Sequence, residues 1–101
     1  LDVLDVDTAS SGWEAGLKTA STRPDLLLLD FRLGDQTGDQ VVRTIRATKD
    51  LPQPAIVLMS AHLTEREAQR VLEEGANAFL PEPFDLDQLR ETVDRHVGLD
   101  A

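Results

Sequence analysis

The chain has 101 residues, a formal net charge of −9, 4% aromatic residues and no cysteine. That length allows one small domain. The charge repels a phosphate backbone, so direct contact with DNA or RNA is not expected. Without cysteine there is neither a disulfide framework nor a thiolate metal site, which fits a reducing compartment and suggests a cytoplasmic protein. No apolar run approaches the roughly 18 residues that a membrane span needs, and no basic segment followed by an apolar block opens the chain.

Leu4 to Ala9 alternates apolar and polar residues and reads as a strand with one wet face. Gly12 starts the next segment, where Trp13, Leu17 and Ala20 recur at helical spacing up to Ser21. Arg23-Pro24-Asp25 ends that helix, because Pro24 cannot continue it. Leu26-Leu27-Leu28-Leu29-Asp30 is the most informative stretch. An unbroken apolar run describes a strand buried on both faces. Asp30 then falls at its C-terminal edge, where ligands and chemistry collect in open parallel sheets.

Phe31 to Thr37 is a loop containing Gly34 and Asp35. A helix runs from Gly38 to about Lys49, with Val41, Val42 and Ile45 on its apolar face and Arg43, Arg46 and Lys49 on a solvated one. Leu51-Pro52-Gln53-Pro54 connects to a second buried strand, Ala55 to Met59, which ends at Ser60-Ala61-His62. Thr64 with Glu67 three residues on forms a capping box. Its helix passes Val71 and Leu72 and stops near Gly75, a left-handed cap. Ala78-Phe79-Leu80 is a short strand and Pro81-Glu82-Pro83-Phe84 a turn. Asp85 or Asp87 then caps a last helix carrying Leu89, Val93 and Val97. The order β-α-β-α-β-α-β-α implies an α/β domain, with a parallel sheet and helices on both faces. The strand ends then bring Asp30, Ser60 and the Leu80–Pro83 turn to one edge.

Several segments now fall into a familiar order: Thr8-Ala9-Ser10-Ser11-Gly12-Trp13-Glu14-Ala15, Arg23-Pro24-Asp25 with the leucine run and Asp30, then Leu33 and Gly38. Met59-Ser60-Ala61, Gly75-Ala76-Asn77-Ala78-Phe79-Leu80 and Pro83-Phe84-Asp85 follow. In this order the chain resembles the receiver domain of two-component response regulators over nearly its whole length. The resemblance implies a flavodoxin-like three-layer sandwich spanning residues 1–101. It implies that Asp30 accepts a phosphoryl group from a histidine kinase or phosphotransfer protein. Ser60 would bond a phosphoryl oxygen, and Phe79 would be a switch aromatic that follows Ser60. The backbone carbonyl of Arg32 would join Asp30 in holding magnesium, and Pro83 would follow a cis peptide bond. It further implies a signalling module rather than an enzyme, with a partner or homodimer surface around Phe79 and the last helix.

Two departures stand out. Glu82 occupies the position of the family's lysine and reverses its charge. The match of Thr8–Ala15 to the family's second strand and helix leaves the first strand and nearly all of the first helix absent, an N-terminally incomplete receiver. In the strand order 2-1-3-4-5 that first strand lies between the second and third. Its loss would unpair two buried edges, at about 1–3 kcal/mol for each unsatisfied group. The expectation is a filled slot, by a longer N-terminus or by a strand from another chain. Asp5 and Asp7, separated by Val6, are not the adjacent acidic pair that the family uses for magnesium.

Asp30 and Ser60 therefore argue for a phosphoryl-accepting receiver. Glu82 argues for a degenerate pseudo-receiver, a phosphorylation-independent interaction module. A third reading takes Thr8–Gly12 as a phosphate loop of a flavin binder, with Trp13 beside the ring; it lacks a second flanking aromatic.

Overall fold

The computed structural model describes residues 6–97. Leu4 and Asp5, at the start of the expected first strand, and the side chain of Val97 lie outside the described residues. The elements are β1 (Val6–Ala9), α1 (Gly12–Ser21), β2 (Leu26–Asp30), α2 (Gly38–Ala47), β3 (Ala55–Ser60), α3 (Glu65–Glu73), β4 (Ala78–Pro81) and α4 (Leu86–Thr92). A π-helical turn, Val93–Val97, continues α4. All strand pairs are parallel, and the sheet order is β1-β2-β3-β4.

That order corrects one expectation. No slot separates β1 from β2: Val6 pairs with Leu26 and Ala9 with Leu29 in direct parallel register. The edge of β2 that would have been left unpaired is satisfied by the chain's own first strand. Bare backbone groups are costly enough that a neighbouring strand closes onto them.

The four leucines of β2 divide by alternation. Leu27 and Leu29 join Ala15, Val41, Val42, Ile45, Ile56, Leu58 and Val71 in the layer under α1, α2 and α3. Leu26 and Leu28 join Val57, Ala78, Leu80 and Val93 under α4 and the π-turn. Each fully buried leucine contributes about 1.5–3 kcal/mol, so this strand anchors both layers.

The inward face of α1 also differs from expectation. Ala15 and Thr19 are fully buried, whereas Trp13 is 75% and Leu17 54% exposed, and Ala20 is exposed. Two stripes of α1 have helical spacing, and the sheet takes the small one, which lets the helix sit close. Thr19 satisfies its buried hydroxyl on the carbonyl of Ala15 at 2.7 Å. The alternation of β1 is similarly reversed in effect: Ala9 is buried, while Val6, on the edge strand, is 48% exposed.

The helix ends follow local chemistry. Ser11 caps α1 by accepting from the Glu14 amide at 3.0 Å. Thr64 and Glu67 form a reciprocal capping box on α3. Asp85, and not Asp87, caps α4, reciprocally with Gln88. Gly75 takes φ +121°, a left-handed backbone that favours glycine. α2 stops at Ala47, short of Lys49, because the extended backbone of Thr48 turns the chain toward the proline connector.

Candidate functional site

β2 has a strand on each side, so its last residue stands in the middle of the sheet's C-terminal edge. Asp30 is half-buried there, paired in register with Met59. The next residue of β3, Ser60, pairs with Pro81 of β4. Phe31 donates its amide to the Met59 carbonyl at 2.8 Å, which extends the pairing past the carboxylate. The start of α2 presses on the same point: the Gly38 amide donates to the Phe31 carbonyl at 2.6 Å. A Cβ at Gly38 would stand 2.7 Å from the Leu58 side chain and 3.2 Å from the Asp30 carbonyl oxygen. Only glycine leaves room for that approach.

Asp30 Oδ1 accepts from the Arg32 amide at 3.3 Å. Arg32 also bridges to Thr37 in antiparallel fashion, closing the loop between β2 and α2. Ser60 is 5% exposed, and its Oγ accepts from the His62 amide at 3.2 Å. The contact with His62 is made by the backbone. The Ser60 carbonyl accepts from the Glu82 amide at 2.8 Å, and the Glu82–Pro83 peptide is cis. Phe79 lies one step back from the rim, paired with Leu58 and packed against the layer under α1–α3. Alternation along β3 gives Ser60 the same side of the sheet as Leu58. The edge thus assembles Asp30, Ser60 and the Glu82–Pro83 turn, with Arg32 in the bordering loop. Among the described residues, neither Asp30 nor Glu82 forms an ion pair.

Other carboxylates are committed elsewhere. Asp7 accepts from the Thr22 hydroxyl at 2.6 Å and faces Lys18 at 3.6 Å. The Thr22 hydroxyl, helped by Lys18, holds its carboxyl below the usual aspartate range. Asp35, in the β2–α2 loop, accepts from the amides of Gly12 at 2.7 Å and Trp13 at 3.1 Å. The Gly12 amide foremost lowers its carboxyl too. Asp35 thereby occupies the N-terminus of α1, where a phosphate loop would have held its ligand. That clamp was not legible in the sequence, since its partners lie 23 and 22 residues apart.

Magnesium takes oxygen ligands and is commonly held by one or two carboxylates, with water and phosphate oxygens completing the shell. The Asp30 carboxylate and the Arg32 carbonyl are oxygen donors of that kind, at the lower limit of such a set. Among the described residues no group of three or more His, Cys, Asp or Glu side chains is placed to hold a metal. Two such donors fall short of a closed site, so an ion held by them would take the rest of its shell from water and phosphoryl oxygens.

The model of the response regulator receiver domain matches residues 1–94. This chain belongs to the response regulator receiver domains. It is 34% identical over 93 residues to the transcriptional regulatory protein KdpE of Staphylococcus aureus, covering 92% of this chain and 39% of that protein. It is 34% identical over 94 residues to the regulatory protein LuxO of Vibrio cholerae, covering 93% of this chain and 20% of that protein. Among solved structures, the signal receiver domain of a LuxO repressor protein from Vibrio parahaemolyticus superposes with a TM-score of 0.79 at 26% identity, over 89% of this chain and 68% of that one. Chemotaxis protein CheY4 of Vibrio cholerae gives 0.77 at 26%, over 89% and 75%.

The receiver domain spans well under half the length of these curated relatives. Receiver domains are signalling modules that work with histidine kinases or phosphotransfer proteins and generally bind magnesium at the phosphorylation site. The four-stranded parallel sheet with four helices is that fold. Among the described residues of this receiver, no helix is long and apolar enough to cross a membrane.

Proposed function

We propose that Asp30 accepts a phosphoryl group from the phosphohistidine of a kinase or phosphotransfer protein. The observation that carries this reading is the place of Asp30: a half-buried carboxylate in the middle of the strand-end edge, in register with Met59, whose neighbour Ser60 pairs with Pro81 just before the Glu82–Pro83 turn. An Asp30 carboxylate oxygen attacks phosphorus in line; the P–O bond forms as the P–N bond breaks, and the imidazole leaves with the electron pair. The Ser60 hydroxyl accepts from the His62 amide and so keeps its own proton to donate to a phosphoryl oxygen. Asp30 and the Arg32 carbonyl would hold magnesium, which supplies charge neutralisation when bound. Phe79, on the Ser60 side of the sheet, is the residue whose packing would follow that hydroxyl, and the stretch around Phe79 with the last helix would be the surface for a partner or a second copy.

Glu82 supports a second reading. A carboxylate at this position repels a phosphoryl group, which favours a domain that binds partners without being phosphorylated.

One experiment separates them. Acetyl phosphate with magnesium should give an adduct of about 80 Da on the intact chain, absent from Asp30→Asn. A folded Asp30→Asn chain labelled like its parent would refute Asp30 as acceptor, and a parent that takes no label from acetyl phosphate or a phosphorylated histidine donor would leave the interaction module.

A further inference from the structure

α1 carries a second apolar stripe that the fold does not use. Gly12, Ala15 and Thr19 turn inward and are buried. Trp13 and Leu17, one turn apart, stand outward at 75% and 54% exposure, with exposed Ala20 completing the stripe. A helix that is apolar on both sides is suited to packing on both sides. Gly16 sits between them. A Cβ there would meet nothing within 4 Å, so nothing among the described residues asks for glycine, which weakens a helix interior. On the outside its absence of side chain leaves a notch. Gly12, Trp13, Gly16, Leu17, Asp35 and Gln36 line an open hollow of about 400 Å³ at this place. Two large apolar side chains flanking a notch match the way an amphipathic helix is received in a groove.

Charge selects the occupant. Asp35 borders the hollow. Glu14 follows Trp13, and Lys18 lies between Glu14 at 3.4 Å and Asp7 at 3.6 Å while donating to the Thr8 carbonyl at 2.7 Å. Those three side chains together keep a negative charge. Arg43 on the adjacent α2 pairs with Glu74 at 3.7 Å, and Arg23 lies beyond the C-cap of α1. A second copy would bring a charge of −9 to meet −9.

We infer that the outer face of α1 docks an amphipathic helix of a partner protein, with aliphatic side chains seated at Gly16 between Trp13 and Leu17 and with basic residues facing Asp35 and Glu14. This surface meets the Asp30 edge through the β2–α2 loop, which carries Arg32 at one site and Asp35 and Gln36 at the other.

Trp13 is the sole tryptophan and the chain has no tyrosine, so its fluorescence reports on this face alone. The probe is a synthetic helical peptide with a leucine stripe flanked by lysines, titrated into the full chain at about 0.15 M ionic strength. Trp13 emission should move to shorter wavelength and saturate. Gly16→Gln puts a better helix former in the notch. It should melt no lower than the parent, yet bind the peptide roughly tenfold more weakly or worse, a loss of about 1.4 kcal/mol. Leu17→Ser should weaken binding likewise.

Equal binding by Gly16→Gln would overturn the proposal. So would an equal response to a peptide with serines for the leucines, or to one with glutamates for the lysines. A Trp13 emission that shifts with protein concentration alone, with a dimer in sedimentation, would give the face to a second copy instead.

Discussion

The Glu82 amide donates to the Ser60 carbonyl at 2.8 Å, so the residue with the reversed charge is fastened to the strand end that carries the hydroxyl. Only the side chain beyond Cβ is free to swing. A lysine grown from the same backbone would start from the same point on the rim, which makes position 82 a clean place to test the field at Asp30.

Glu82→Lys is expected to raise the labelling of Asp30 by acetyl phosphate. Two unit charges ~5 Å apart at an effective dielectric near 20 interact by roughly 3 kcal/mol. Swinging into solvent lowers that figure, so the expected gain runs from several-fold to about a hundredfold in the initial rate of adduct formation. Intact-mass time courses on parent and variant measure it directly. A rate unchanged within about twofold would show that the side chain at position 82 does not act on the acceptor.

Stability should fall in acid, below 4.5, through three carboxylates on β1, α1 and the β2–α2 loop. The Thr22 hydroxyl and Lys18 lower Asp7, the Ser10 amide and hydroxyl with Lys18 lower Glu14, and the Gly12 and Trp13 amides lower Asp35. A carboxyl lowered in the folded state stabilises it fully above the ordinary value, 3.8 for aspartate and 4.5 for glutamate. That contribution is lost as pH falls through the lowered folded values. Thermal melts taken downward from pH 6 should therefore show a declining Tm below these values. Asp35→Asn should melt lower at neutral pH and show a shallower acid decline. A parallel decline in the variant would remove Asp35 from the set.

Asp39 is 7% exposed. Its Oδ2 lies 3.8 Å from the exposed Arg70, and its Oδ1 is buried without a hydrogen-bond partner among the described residues. It borders a cavity of about 30 Å³ lined by Phe31, Glu67, Arg70 and Val71. A carboxylate so placed keeps the favourable field of the α2 N-terminus, but little else offsets its burial. Asp39→Leu, which can grow into the cavity, should stabilise the fold by about 1–2 kcal/mol. That corresponds to roughly 4–8 °C in Tm for each kcal/mol. A urea midpoint that rises with an unchanged slope checks it; a lower midpoint would mean that water satisfies Oδ1 and leucine displaces it.

Much of this architecture was legible in the amino-acid order, because continuous burial and capping leave local marks. Leu26–Leu29 announces a strand dry on both faces, and Thr64 with Glu67 announces the start of α3. The Asp30–Ser60 edge follows from strand order alone. What was not legible depends on distant partners. Trp13 and Leu17 have the spacing of a core stripe, yet the sheet chose Ala15 and Thr19, and only packing distance decides between the two. The closure of β1 onto β2 reflects the demand of a bare strand edge, which no local pattern records. Arg46 reads as a solvated helix residue beside Arg43, yet its partners sit 7 to 31 residues away.

Arg46 supplies the last prediction. Its guanidinium donates to the Gly75 carbonyl at 3.0 Å, Gln53 Oε1 at 3.1 Å and Asn77 Oδ1 at 3.0 Å. Asn77 Oδ1 also accepts from the Ile56 amide at 2.9 Å. One side chain thus joins the end of α2, the start of β3 and the turn before β4, at the strand edge opposite Asp30. Burial lowers its pKa without threatening its charge. Arg46→Ala should cost about 2 kcal/mol, the figure being held down because part of the guanidinium meets water. Asn77→Ala should cost a similar amount and leave the Ile56 amide unpaired. Because the two share one oxygen, the double variant should lose less than the sum, with a coupling of about 0.5 kcal/mol or more in urea denaturation. The folded fraction of each variant should label at Asp30 as the parent does. Additive losses would show that the guanidinium and the amide act on separate parts of the fold, and the bridge would then be two unrelated contacts.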